Sequence, residues 1–344
     1  MQPARLEEMG LVLFDHCVEF FYEKTIECLN DAKFMENHNI FTVQAICLLT
    51  YIGHHIGQSN RMSVLVAAAI RIAQCLGLHR LGPDKKLADP ALNRQKLHRR
   101  EVSKRVWWFL VRQDWLQIPV SNTCNIHPRQ FDTPMPDGNC LIADGQAIDR
   151  NMIQGGYTSV LNKAAFIVWR FHDSVTSNEE SSRKVYSEVL KADNQLRKLM
   201  NDIPFYLRQE SPEDGMKHQS ALLYLELAQQ FYSIHRFFQI SSLKDPNFAY
   251  TKISCSPFMY RNLFTFLSLE KNNPSTQIVS YLWTSNTHVL TAALWLLFEM
   301  IFSKEGMAQI YEAAEIRELA AKTFEFLRAN ERESKVAKRG GYID

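Results

Sequence analysis

The sequence predicts an all-α protein, a single large multi-helical domain. Three observations carry this. Apolar residues recur at helical spacing through nearly every segment, and no run shows the two-residue alternation of a half-buried strand. Glycine (13) and proline (12) are scarce beside 21 phenylalanines and 12 tyrosines, a balance that suits long helices rather than a many-turned β protein. With 344 residues, 46% of them hydrophobic, the chain has enough apolar material for a full core, and by length alone it fits one large or two ordinary domains.

The elements follow in order. Residues 4–29 carry Leu6, Leu13, Val18, Phe21 and Ile26 at helical spacing, and 40–56 set Val43, Ile46, Cys47 and Thr50 on one side. A third helix covers 61–76 and is followed by GPDKKLADP, a loop with two prolines. Residues 96–117 form a strong fourth helix, followed by a proline-punctuated loop from Pro119 to about Asn139. Further helices are expected at about 156–175, 179–200, 216–241, 256–270, 276–302 and 306–331, with QGGY at 154–157 read as a helix start. The helical domain is placed at 1–335 and the end of the chain, 336–344, is read as a frayed tail.

Composition removes several function classes. With 39 basic and 37 acidic side chains the net charge is +2, so bulk electrostatics favour neither nucleic acid nor an anionic membrane. The seven cysteines are odd in number and widely spaced, without a C-x-x-C pair, and read as reduced thiols inside the cell. The N-terminus lacks the pattern of a signal peptide. The longest apolar run, VLTAALWLLFEMIF at 289–302, contains Glu299 and is too short to span a bilayer, so no membrane role is expected. No H-E-x-x-H, G-x-G-x-x-G, Walker or G-x-S-x-G motif occurs, and His54 and His55, being adjacent, point to different helix faces. No catalytic residue, metal site or cofactor is therefore assigned.

The informative stretches are RIAQCLGLHRLG at 71–82 and RREVSKRVWWFLVRQDW at 99–115. Gly77 is placed to end the third helix in the left-handed conformation, with Leu78 folding back on Ile72 or Ala73. His79 then stands just beyond the helix end, where an imidazolium would meet the negative pole of the dipole. Arg71 lies in an apolar helix that offers it no acid four residues away, so it is expected to be buried and paired with Glu101 or Asp114 of the fourth helix. On that helix Glu101 and Arg105 share a face with Trp108 and Arg112, and Trp107 and Trp108 make it apolar nearly all round. Arginines beside tryptophans also suit a stacking platform for single-stranded nucleic acid, an alternative to a buried helix held by ion pairs and aromatics.

Taken in order, R-x-A-x-x-L-G-L-H-R from Arg71 to Arg80, E-x-x-K-R-x-W-W from Glu101 to Trp108, Asp114 and the proline-rich FDTPMP resemble the regulatory middle region of fungal zinc-cluster transcription factors. The resemblance covers about residues 40–140. It implies an all-helical domain that controls when a factor activates genes, often of metabolism or secondary metabolism, in the nucleus. It carries Arg71, Gly77, His79, Glu101, Arg105, Trp107, Trp108 and Asp114 over as architectural positions, without a catalytic role. The six clustered cysteines with which that family reads DNA have no counterpart in these 344 residues, so sequence-specific DNA reading by this chain is not expected. The partners implied are a small-molecule effector and a DNA-binding or co-regulator protein. Aromatic helices at 229–240 and 281–298 suggest an apolar pocket with His235, Arg236 and His288 as its polar groups. A stand-alone small-molecule binder or biosynthetic enzyme on the same fold, in the cytoplasm, is the alternative.

Overall fold

Residues 17–84, 94–136, 150–176, 181–209, 217–272, 282–302, 310–331 and 334–340 are described by a computed structural model, and every regular element among them is helical. The helices are α1 (Cys17–Asp31), α2 (Ile40–His55), α3 (Ser59–Cys75), α4 (Arg94–Ser121), α5 (Arg150–Thr176), α6 (Ser182–Asn201), α7 (Lys217–His235), the single turn α8 (Gln239–Ser242), α9 (Tyr250–Asn272), α10 (Trp283–Phe302), α11 (Ala313–Ala329) and α12 (Lys335–Gly340). Residues 1–16, most of GPDKKLADP and the end of FDTPMPDGN lie outside the described residues, as do the expected beginnings of the last two long helices.

Two hydrophobic cores form. The first gathers Tyr22, Ile46, Met62, Trp107, Leu110 and Trp115 from α1–α4. The second gathers Leu196, Phe231, Leu263, Phe266, Val289 and Leu296 from α6, α7, α9 and α10. Helix α5 is the wall between them: Val160, Leu161 and Ala164 face the second core, while Ala165 and Trp169 face the first. The helix keeps Lys163, Phe166, Arg170 and Asp173 on an exposed edge and buries its other sides against the two cores.

The ends of the second and third helices are built alike. Gly57 and Gly77 have φ of 78° and 75°, the left-handed region that a side chain disfavours. Leu78 N–H bonds Ala73 O at 2.9 Å and Gly77 N–H bonds Gln74 O at 3.0 Å, while Gln58 and Gly57 repeat the pattern on Gly53 O and His54 O. These paired bonds satisfy carbonyls that a helix end leaves free, and Leu78 is buried beside Ala73, as the sequence predicted.

Three expectations are corrected. Arg71 is exposed, and its guanidinium reaches only Gln74 Oε1 at 3.4 Å. Helix α3 buries Met62, Val66, Ala69, Ile70 and Ala73, so Arg71 falls on the outer face with Val64, itself 71% exposed. Apolar neighbours in sequence did not mean burial, because a helix shows one stripe to the core whatever the rest contains. Second, α5 begins at Arg150, so Gly155 and Gly156 lie inside it. Gly156 gives room to the Tyr206 hydroxyl, which a Cβ there would meet at 2.5 Å. Third, 336–340 of the supposed tail belong to helix α12, with Ala337 buried and a Cβ at Gly340 only 3.0 Å from Leu290, while 341–344 lie outside the described residues.

These positions separate two kinds of glycine. Gly77→Ala should cost about 1 kcal/mol from backbone strain alone, since nothing lies within 4 Å of the new methyl group. Gly53→Ala, whose Cβ would lie 2.3 Å from Met62 Cγ, should cost about 1 to 3 kcal/mol by overpacking. Arg71→Ala should stay within about 0.5 kcal/mol of the parent, as exposed substitutions do. Chemical denaturation of the three variants checks the order; an Arg71 variant less stable than the Gly53 variant would contradict it.

Candidate functional site

The motif residues converge on one place, where two irregular segments cross α4. After Gly77 the chain leaves α3 as an extended strand of loop, and 131–136 runs beside it. Asp132 N–H bonds His79 O at 3.0 Å; Thr133 Oγ1 donates to Leu78 O at 2.7 Å and accepts from Leu81 N–H at 3.1 Å. Asp132 Oδ1 accepts from Gly82 N–H at 2.9 Å. Helix α4 serves both segments. Arg100 donates to Leu81 O and Gly82 O at 2.7 and 2.6 Å, and to the Asp84 carboxylate at 3.0 Å. Trp108 Nε1–H is shared between Thr133 O and Pro134 O at 3.1 and 2.9 Å.

Asp114 anchors the return of the chain. Its buried carboxylate accepts from Asn125 N–H, Asn125 Nδ2–H and Ile126 N–H at 2.7 to 3.0 Å, while Trp115 Nε1–H takes Ile126 O at 2.8 Å. Burial raises the pKa of Asp114 despite these bonds. Glu101, expected as a partner of Arg71, instead lies 3.1 Å from Lys104 Nζ and 3.7 Å from Arg105 Nε. Lys104 also bonds Asp84 at 2.8 Å, so the acid–base pairs run along α4 and into the loop, and Arg71 takes no part. Trp107 is buried, flanked by His79 and by Phe131 edge-on at 5.6 Å; Phe131 also meets Trp108 and Trp115. These indoles meet their neighbours edge-on inside the protein, so the single-strand stacking platform is set aside. At His79, placed beyond the helix end where the dipole's negative pole would favour an imidazolium, burial and then Arg80 instead hold the pKa below the ordinary value.

The three pocket candidates make different contacts. His235 is fully buried; its Nε2 meets Asp193 at 3.0 Å and its Nδ1 meets Thr251 Oγ1 at 3.1 Å. Asp193 also accepts from Ser254, Arg197 and Tyr250 at 2.6 to 2.9 Å. Burial opposes its charge, but the His235, Ser254 and Arg197 bonds win and hold the carboxyl below the usual range. Aspartate, histidine and threonine in a row suggest nucleophilic chemistry, but the imidazole and hydroxyl are both sealed from solvent, so the row ties α6, α7 and α9 together. Arg236 donates to Pro119 O at the end of α4 and lies over the Phe237 ring. His288 sits in α10, its pKa pushed down to about 3 by burial. Helix α10 as a whole, from Trp283 to Phe302, is longer than the apolar run singled out in the sequence and is apolar enough to cross a membrane by composition. Here its buried face carries Ser285, Asn286, His288 and Glu299, with Glu299 bonded by Ser256 and 3.4 Å from Lys252.

A second polar group was missed in the sequence. Between the two cores, Tyr51 of α2, Arg112 of α4, Tyr157 and Asn162 of α5 and Glu226 of α7 share one electrostatic neighbourhood. Arg112 is 8% exposed; it donates to Asn162 Oδ1 at 3.0 Å and lies over Phe109, whose ring is 5.8 Å from that of Tyr51. Tyr51 is 45% exposed along its ring, yet burial at the hydroxyl raises its pKa. Glu226 is half-buried, and its pKa rises to about 7, pushed up by burial and only partly restrained by Arg112. No sequence signal joins these residues, because they come from four helices up to 175 positions apart.

Over 334 residues, 91% of the chain, the sequence is 23% identical to the agnestins biosynthesis cluster transcription factor AgnL11 of Paecilomyces divaricatus, covering 47% of that protein. Over 127 residues, 35% of the chain, it is 28% identical to the probable transcription factor lepB of Aspergillus flavus, covering 22% of that protein. The chain thus spans about half the length, or less, of the curated relatives it matches. No family model and no solved structure matches it. Both relatives are named as transcription factors, and both come from fungi.

Two titrations follow from the geometry. A carboxyl held above its unfolded value stabilises the fold below the unfolded pKa and loses that stability as pH rises through the folded one. For Glu226 the window runs from about 4.5 to about 7. The unfolding free energy should fall across it by at most about 3 kcal/mol, less in proportion to the water that reaches the group. Glu226→Gln should flatten that slope; denaturation at pH 5, 6 and 7.5 measures it. Asp114→Asn, which leaves one of the Asn125 and Ile126 donors facing another donor, should cost about 1 to 3 kcal/mol at neutral pH, read as a lowered denaturation midpoint.

Proposed function

We propose that this chain is the regulatory domain of a transcription regulator, one that responds to an effector or a protein partner and controls metabolic or secondary-metabolite genes. The observation that carries the reading is the extent of the likeness to AgnL11, 91% of this chain. The motif residues support it. Gly77, His79, Glu101, Trp107, Trp108 and Asp114 form the crossing over α4, held by side-chain to backbone bonds, and they do not converge on a reacting centre. That is what a scaffold needs if it is to pass a signal between a ligand or partner and a DNA-binding module. The proposed place of action is the nucleus, with the cytoplasm as the alternative before activation.

DNA reading is assigned to another module or another chain. The near-neutral charge provides little non-specific attraction to phosphates. The alternative of an enzyme on this fold gains no support from the one catalytic-looking row, since His235 and Thr251 have no exposed surface.

The test is a tethering assay. Fused to an unrelated DNA-binding module, the chain should change transcription of a reporter relative to the module alone. A fusion that is expressed, folded and nuclear but leaves the reporter unchanged in every growth condition tried would overturn the reading. The isolated chain should bind duplex DNA weakly and without sequence preference at physiological salt; binding that resists competitor DNA would reveal a base-reading surface within it.

A further inference from the structure

We propose that the groove between α5 and α6 is a binding site for a small monocarboxylate with an apolar body. This deepens the regulatory reading and rests on it, for it names where an effector would sit and what its chemistry would be.

The argument starts from the space. The two helices run antiparallel, since Tyr206 and Leu207, just past the end of α6, stand against Gly156 near the start of α5. Each helix gives the groove one stripe: Ile167, Arg170 and Phe171 from α5, and Glu188, Lys191 and Ala192 from α6, at steps of three and one residues. Between the stripes lies a cavity of about 260 Å³. Ligand pockets begin at about 300 Å³, so this one suits a molecule of one ring or a short chain. It is too small for a nucleotide or a docked helix.

The charges around the cavity do not cancel. Glu188 and Lys191 close on each other at 2.6 Å on the α6 wall. Arg170 is exposed on the α5 wall, and its guanidinium makes no hydrogen bond, ion pair or ring contact among the described residues. The lining therefore holds one positive charge in excess. That charge sits on a side chain whose N–H donors form the fork that a carboxylate fits with two bonds. One excess charge, with a carboxylate already in the opposite wall, selects a monoanion over a phosphate or a dicarboxylate.

The floor selects the rest of the molecule. Ile167, Phe171 and Ala192 are buried side chains that also line the cavity. An acetate-sized ion would leave this floor against water, whereas an apolar body laid on it would release that water. Arg170 thus has a binding role at the rim, and the three apolar side chains provide the seat. Helix α5 contributes side chains to both cores, so a molecule wedged between α5 and α6 bears on the helix that both cores share. That is how occupancy would reach the rest of the domain.

The experiment uses the whole 344-residue chain and isothermal calorimetry with four probes: benzoate, its neutral counterpart benzamide, acetate and inorganic phosphate. Benzoate should saturate one site with a Kd at or below about 1 mM, at least about tenfold tighter than each of the other three. Raising the salt from about 10 mM to about 150 mM, which shortens the Debye length from about 30 to about 8 Å, should weaken benzoate and spare benzamide. Arg170→Gln, an exposed change that should leave the fold intact, should bring benzoate level with benzamide. Arg317→Gln, an exposed arginine of α11 outside the groove, should leave benzoate unchanged. Equal affinities for benzoate and benzamide in the parent, benzoate binding only at tens of millimolar, or an Arg170 variant that binds benzoate as the Arg317 variant does, each overturns the proposal. The tethering assay keeps the two readings apart. A reporter that responds to the tethered chain while benzoate does not bind sinks the groove and leaves the regulator. Selective benzoate binding by a chain that leaves every reporter unchanged keeps the groove and sinks the regulator.

Discussion

The structure depends on α4 satisfying the backbone groups of two loops that have no secondary structure of their own. The stretch after Gly77 and the stretch from Asn122 to Pro136 run against the protein interior, where an unpaired N–H or C=O is costly. Neither can form a sheet, because they meet over only a few residues. Helix α4 supplies what is missing, one side chain at a time: Arg100 to Leu81 and Gly82, Trp108 to Thr133 and Pro134, Asp114 to Asn125 and Ile126, Trp115 to Ile126. The large aromatics are both the hydrophobic filling of the first core and the donors that hold its lid. Replacing an indole by a phenyl ring would therefore remove a bond as well as volume.

This arrangement explains why the motif was legible and one of its members was not. Gly77 and Leu78 announce their roles locally, since a left-handed turn and a back-folded leucine need only a few residues of chain. Trp107 and Trp108 announce burial by size. The helix periods could be read most plainly where a helix has one apolar stripe, as α6 and α11 do, and every regular element among the described residues is helical. Arg71 misled because its neighbours are apolar on a face that stays in water; the deciding fact is the partner helix, which sequence spacing does not contain. Asp114 bonds the backbone eleven and twelve residues on, where no side-chain pairing rule looks.

The polar rows were harder still. Asp193, His235 and Thr251 are 42 and 16 positions apart, and each alone looks like an ordinary helix residue. His235 drew attention as a titratable group on an aromatic helix, which is a fair signal of a buried polar site, but the signal does not distinguish a pocket from a strut. The structure does, by sealing both ring nitrogens against protein oxygens. The Arg112–Glu226 group had no signal at all: Glu226 sits in LLYLELAQQF as the one charge in an apolar run, and what it faces comes from three other helices.

The contrast between these two polar groups shows how donors, or their absence, decide which way burial moves a carboxyl. Asp193 is surrounded by donors on three elements, so its charge is matched in the fold and every added interaction would have to displace one already made. Glu226 feels the field of Arg112, which is itself bonded to Asn162 and Tyr51, and burial outweighs that field and raises the carboxyl's pKa. Helix α5, which both cores share, cannot shift toward one core without leaving the other, so packing on either side fixes where these helices stand.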